Sequence, residues 1–190
     1  STTSGSVSVT IQQKTVVSPK VTVSGTYTYA GGAAQEPGSA DVKVEDGGTV
    51  IPDTEYSLSY RDNINAGTAT VIVTNASGGN YIVNGTGTFE IGKLAPTVTP
   101  PERKTGLQYN GQPQELLVQA GTADGGTLVY SLNGGDYSPG IPTASAVGEY
   151  TITYKVLGDT NHSDVAPVSL TDKVEIAKNT VTTPDIKVEP

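Results

Sequence analysis

The chain has no cysteine, methionine or tryptophan, and only one phenylalanine and one histidine. Without cysteine there is no thiol nucleophile, no thiolate metal site and no disulfide frame of the kind that braces small secreted domains. Export is not excluded, because units of ordinary size fold without such bridges. Basic residues are also scarce, 11 Lys and Arg against 19 Asp and Glu, giving a net charge of -8. A surface of that sign repels nucleic acid and anionic membranes, so neither is an expected partner. No apolar run approaches the length of a membrane span, so no membrane insertion is expected in this segment. The N-terminus carries no charged-then-apolar signal pattern, and residues 1–6 read as a cut end or tag remnant. Helix-forming runs are missing as well: threonine and valine far outnumber leucine, and β-branched residues favour strands.

What is present is alternation, clearest over residues 146–164. Tyr150, Ile152, Tyr154 and Val156 fall on one side of a strand, and Glu149, Thr151, Thr153 and Lys155 on the other. That is the period-two signature of a half-buried antiparallel strand. Gly148 precedes it and a polar turn, residues 158–164, follows it. Residues 65–80 repeat the plan: Gly67 opens it, and Ala69, Val71 and Val73 alternate with Thr68, Thr70, Ile72 and Thr74. With 23 Gly and 12 Pro spread along the chain, the pattern predicts an all-β fold of many short strands joined by turns.

Further strands are predicted over residues 21–29, 41–45, 56–60 and 88–93. Val7, Val9 and Ile11 alternate with Ser6, Ser8 and Thr10, either as an opening strand or as the remnant of an earlier copy. Landmarks then recur after 79 to 85 residues: Tyr29 and Tyr109, Gln35-Glu36 and Gln114-Glu115, Gly67 and Gly148, Lys93 and Lys178. A repeat of domain size denotes tandem units. The division expected is 1–94, 95–178, and 179–190 as a linker or the start of a third repeat. The drift in spacing is assigned to a longer second hairpin. Residues 94–101, with Pro96, Pro100 and Pro101, read as a stiff connector between units.

The run Gly148-Glu149-Tyr150-Thr151-Ile152 matches the Gly-x-Tyr-x-Cys pattern of immunoglobulin-type sandwiches, with Ile152 in the cysteine's place and Tyr150 where a corner tyrosine stands. Tyr109-Asn110-Gly111, Ile141-Pro142, the loop Gly158-Asp159-Thr160-Asn161-His162, Gly79-Asn80-Tyr81 and the Ile-x-Lys endings accompany it in order. With these motifs the chain resembles the tandem immunoglobulin-like repeats of bacterial cell-surface and secreted proteins, including those with a Tyr-Asp-Gly or Tyr-Asn-Gly opening. The resemblance covers most of residues 15–178. It implies two tandem immunoglobulin-like β-sandwich modules, extracellular, secreted or attached to the cell wall. They would serve as non-enzymatic stalk or spacer repeats with some share in adhesion.

The resemblance further implies a monomer whose partners are neighbouring repeats of the same chain, with an extracellular protein or polysaccharide as candidate ligand. Two alternatives stand beside it. One is an adhesion module that binds carbohydrate or a host ligand through residues 133–137 or 158–164; the other is a set of accessory modules from a secreted glycoside-active enzyme. The family shares no catalytic or ligand-binding residues, so no catalytic, cofactor-binding or metal site is assigned and no cofactor is expected.

The residues able to carry chemistry are few. His162 lies beside Ser163 and Asp164, but neighbours on a loop point apart, and turn chemistry accounts for all three, which predicts a solvated turn. Asp159, Asn161 and Asp164 offer oxygen to calcium, without the glycine and distal glutamate of an EF-hand loop. Lys93, Lys178 and Asn179 lie where some surface domains form a Lys–Asn cross-link, although a lysine at a strand end is more commonly a solvated guard. Most of the ten tyrosines fall on the same strand face as Ile, Leu and Val, where core is expected, which argues against a flat sugar-binding platform.

Overall fold

Alternation in the sequence becomes alternation of burial along the strands. In the computed structural model, which describes residues 5–180, Ala69, Val71 and Val73 are buried while Thr68 and Thr74 are exposed. Ile152, Tyr154 and Val156 are likewise buried, with half-buried Thr153 and Lys155 between them. The fold is all-β and β-sandwich-like, built of several small sheets. The one helical element among the described residues is a 3-10 turn at Asp53–Glu55. The chain divides into two compact units, Ser1–Leu94 and Ala95–Pro190.

The first unit contains β1 (Lys14–Val16), β2 (Lys20–Val23), β3 (Tyr27–Thr28), β4 (Val42–Asp46), β5 (Thr49–Val50), β6 (Tyr56–Arg61), β7 (Gly67–Asn75), β8 (Tyr81–Val83) and β9 (Gly85–Gly92). One sheet runs β3-β9-β7-β6 and another β2-β4-β5, with β1 paired to β8 at the side. Val44, Val71, Val73 and Val83 close its main core at 0–1% exposure. Ala69, Phe89 and Ile91 form a second cluster, where Phe89 meets the edge of Tyr27 at 5.0 Å between ring centroids. Each such side chain removed from water contributes about 1.5–3 kcal/mol.

The second unit contains β10 (Thr97–Thr99), β11 (Glu102–Arg103), β12 (Leu107–Gln108), β13 (Gln114–Glu115), β14 (Leu117–Gln119), β15 (Thr122–Asp124), β16 (Thr127–Leu132), β17 (Thr143–Ala144), β18 (Gly148–Tyr150), β19 (Ile152–Leu157), β20 (Val165–Ser169) and β21 (Val174–Ala177). Its core gathers Leu116, Ile152, Val174 and Ile176, each at 0–1% exposure.

The two units share a set of pairings at corresponding residues. Gly67 lies opposite Ile91, and Gly148 opposite Ile176. Tyr27 pairs in parallel with Ile91, and Leu107 in parallel with Ile176. The amides of Tyr29 and Tyr109 donate to the carbonyls of Gly92 and Ala177, both at 2.9 Å. The Gln35 amide donates to the Asn63 carbonyl, and Gln114 pairs with Ala144, each partner standing four residues before the corresponding glycine. In both units the third strand, β3 or β12, therefore runs alongside the last in the same direction. The chain arrives at one end of a unit and leaves at the other.

Three expectations are corrected. Residues 94–101 are not a bare connector. β10 pairs antiparallel with β15, Val98 packs against the second core and Pro101 is buried. The approach is possible because Gly121, at φ +74, carries no Cβ to strike the Thr99–Pro101 backbone. Residues 7–11 form no strand among the described residues, since nothing pairs with them; pairing starts at Lys14. The spacing drift, finally, is shared between two places. Val73 faces Gly85 and Tyr154 faces Val168, which puts half of the added length in the hairpin. Ala69 faces Phe89 and Tyr150 faces Val174, so the other half lies in a break between β20 and β21. Most of residues 1–6, and residues 181–190 of the expected third repeat, lie outside the described residues.

Candidate functional site

Tyr150 emerges from β18 half-buried, and its hydroxyl donates to the Ala146 carbonyl at 2.7 Å. That is the corner geometry expected of a tyrosine at this position; Ala69, its counterpart in the first unit, has no hydroxyl to offer. Other tyrosines latch strand to loop in the same manner. The Tyr60 hydroxyl donates to the Pro37 carbonyl and that of Tyr130 to Ala120, and burial pushes both hydroxyls up from their ordinary pKa. Tyr109, at 46% exposure, is the one tyrosine among the ten in the exposed class. A flat sugar platform needs several exposed rings, and the other nine tyrosines are half-buried or buried.

The loop over residues 158–164 is stitched by its own acids. Asp159 Oδ1 accepts from the amides of Asn161 and His162, and sits against His162 Nδ1, all at 2.8 Å. The His162 side chain, followed by the Asn161 amide, holds the Asp159 carboxyl below its usual range. Asp164 Oδ1 accepts from the Gly158 amide at 2.8 Å. His162 is not a solvated turn residue as expected: its side chain is only 13% exposed. The reason is Gly125, at φ +89, where a Cβ would overlap the imidazole ring. Gly125 forms the seat, while the neighbouring Gly126, at φ +131, leaves room for the Leu157 carbonyl and Gly158; the sequence shows this only as a Gly-Gly pair.

These contacts bear on chemistry. His162 Nδ1 is held by Asp159, three residues earlier, and Asp164 Oδ1 is engaged by the Gly158 amide. Asp159 and Asp164 each accept from backbone amides of their own loop, and Asp159 also holds the His162 ring. Among the described residues, no group of three or more His, Asp or Glu is placed to hold a metal ion. Lys93, Lys178 and Asn179 are exposed, whereas a Lys–Asn cross-link needs both partners beside a buried acid.

The loop over residues 133–137 is similarly satisfied from within. Asn133, at φ +51, accepts the Thr151 amide on Oδ1 at 2.8 Å and donates its own amide to the Thr151 carbonyl at 2.9 Å. That exchange occupies Thr151 and separates β18 from β19. Ser131 Oγ donates to the Gly135 carbonyl at 2.6 Å, and Lys155 Nζ lies 4.2 Å from the Tyr137 ring centroid, a cation–π distance.

Sequence reasoning missed Glu55. This buried carboxylate, 8% exposed, takes the Asn80 amide at 2.5 Å and the Tyr81 amide at 3.2 Å on Oε2, and the Asn80 side-chain amide at 3.0 Å on Oε1. The Asn80 side chain, joined by the two backbone amides, lowers its pKa. The effect is to pin the β7–β8 loop. Nothing local in Pro52-Asp53-Thr54-Glu55 announces a partner 25 residues away. A groove of about 430 Å³ opens on the same unit, beside the edge strand β5, lined by Val42, Val50, Ile51 and Tyr56 with Asp41 and Asp53 at its polar margin.

No protein-family model matches the chain, and no curated protein matches it either. Among the described residues no helix is long and apolar enough to cross a membrane.

Proposed function

We propose that the chain is a pair of tandem immunoglobulin-like β-sandwich modules acting as non-enzymatic spacers in an extracellular bacterial protein, secreted or attached at the cell surface. The observation that carries this reading is the parallel pairing of an early strand with the last one in both units, β3 with β9 through Tyr27 and Ile91 and β12 with β21 through Leu107 and Ile176. A unit entered at one end and left at the other adds its own length to the path of the chain. Two units that share this pairing do so twice. The chain's single histidine is engaged in holding its own loop, which supports a role without catalysis.

Small-angle scattering tests the spacer reading. A single compact body of this length has a radius of gyration of about 16 Å. The spacer reading requires a value well above that, at all protein concentrations. A measured value near the compact one would overturn it. The second reading, recognition of an extracellular ligand, has the groove beside β5 in its favour. Binding of a polysaccharide or protein that is lost in Val50→Asp would move the assignment there.

A further inference from the structure

Val7, Val9 and Ile11 are 88%, 81% and 90% exposed. They alternate with Ser6, Ser8 and Thr10, so one apolar face of an extended segment is bare to water. β-branched alternation is a strand's composition, and a row of three such side chains is what a sheet normally covers. Immediately afterwards the chain becomes fixed. Gln13 Nε2 donates to the Gly79 carbonyl at 2.6 Å, the Lys14 amide to Asn80 at 2.9 Å, and Lys14 pairs with Asp46 at 2.8 Å.

The same succession closes each of the two units. In the first, Phe89 and Ile91 form the buried face of the last strand, at 7% and 2% exposure. Thr97-Val98 then opens the next unit in β10. In the second, Val174 and Ile176 are both at 0%, and Thr180-Val181 follows in the sequence. Upstream of the first unit the order is Val9-x-Ile11, then Thr15-Val16, with Val16 at 5% exposure in β1. β1 and β10 pair with different strands, but each opens its unit. Val9 and Ile11 thus stand before the first unit where Phe89 and Ile91 stand before the second.

We propose that residues 6–11 are the closing strand of a further β unit upstream in the polypeptide. There Ile11 sits opposite a glycine, as Ile91 and Ile176 do. This rests on the tandem reading above and names the partner of the bare face: a unit of the same class, not a foreign ligand.

Hydrogen exchange of the residue 7–11 amides distinguishes the occupants. In the 190-residue chain these amides exchange at close to the unprotected rate. In the natural chain extended upstream by one repeat length they slow by about 100-fold or more, as ladder amides do. Ile11→Thr leaves the melting of the 190-residue chain unchanged and lowers an additional transition in the extended one. Unprotected amides in the extended chain overturn the proposal. So does protection in the 190-residue chain that grows with concentration, which would assign the face to a second copy. The first result leaves the scattering radius of the 190-residue chain unchanged and the second raises it only with concentration, so the radius extrapolated to zero concentration tests the spacer reading separately.

Discussion

Replacing Ile152 by alanine probes whether the two units hold themselves together separately. Ile152 is 1% exposed, at the middle of the second core, and Val71 occupies the equivalent place in the first at 0%. Alanine removes three carbons from Ile152. At about 0.8 kcal/mol each that is about 2.4 kcal/mol, and the unfilled cavity raises the loss to about 3–4 kcal/mol. For a domain near 95 residues this lowers the midpoint by roughly 12–30 °C. The clusters around Val71 and Ile152 share no residue, so the loss falls on one unit. Scanning calorimetry of Ile152→Ala should show one transition shifted by that amount and the other in place. Val71→Ala should shift the complementary transition, and the double variant should add within about 0.5 kcal/mol. A single cooperative transition that either substitution moves as a whole would refute the reasoning.

Three further outcomes follow from the side-chain contacts. Tyr150→Phe removes the bond to Ala146 and should lower only the second unit's stability, by about 1 kcal/mol in denaturant titration. Glu55 has a folded pKa below its unfolded one, so its contribution is present above the ordinary carboxylate value of about pH 4.3 and is lost as pH falls through the folded value. Glu55→Gln should therefore lower the first unit's midpoint at neutral pH and flatten its decline through that acid window, with the second unit unaffected. Gly125→Ala combines a positive φ with displacement of the His162 ring. The backbone alone costs about 1–2 kcal/mol, and the His162 imidazole NMR signals should move to solvent-exposed positions.

Much of the fold was legible because period-two alternation reports a face directly. The strands through Val71 and Ile152, the paired glycines Gly67 and Gly148, and the Tyr150 corner all follow from local pattern. What escaped depends on distance. The parallel pairing of β1 with β8 joins residues 67 apart, Lys14 with Tyr81, and no nearby residue encodes it. Residues 94–101 looked like a spacer because prolines are common in connectors, yet a glycine at position 121 lets the chain lie against the sheet. The same blindness applies to Glu55 and to the seat of His162. Each depends on what a distant glycine or asparagine leaves open, and a sequence shows the residue but not the space beside it.

The parallel course of β3 with β9, and of β12 with β21, also decides how a unit meets tension. A pull on the two ends of a unit slides β3 past β9, or β12 past β21, so the bonds between them, with that from Tyr29 to Gly92 in the first unit and from Tyr109 to Ala177 in the second, are loaded in shear. Antiparallel neighbours pulled from a common end would instead peel apart one bond at a time. The geometry that carries the chain forward thus also makes each unit hardest to open along the direction in which it would be stretched.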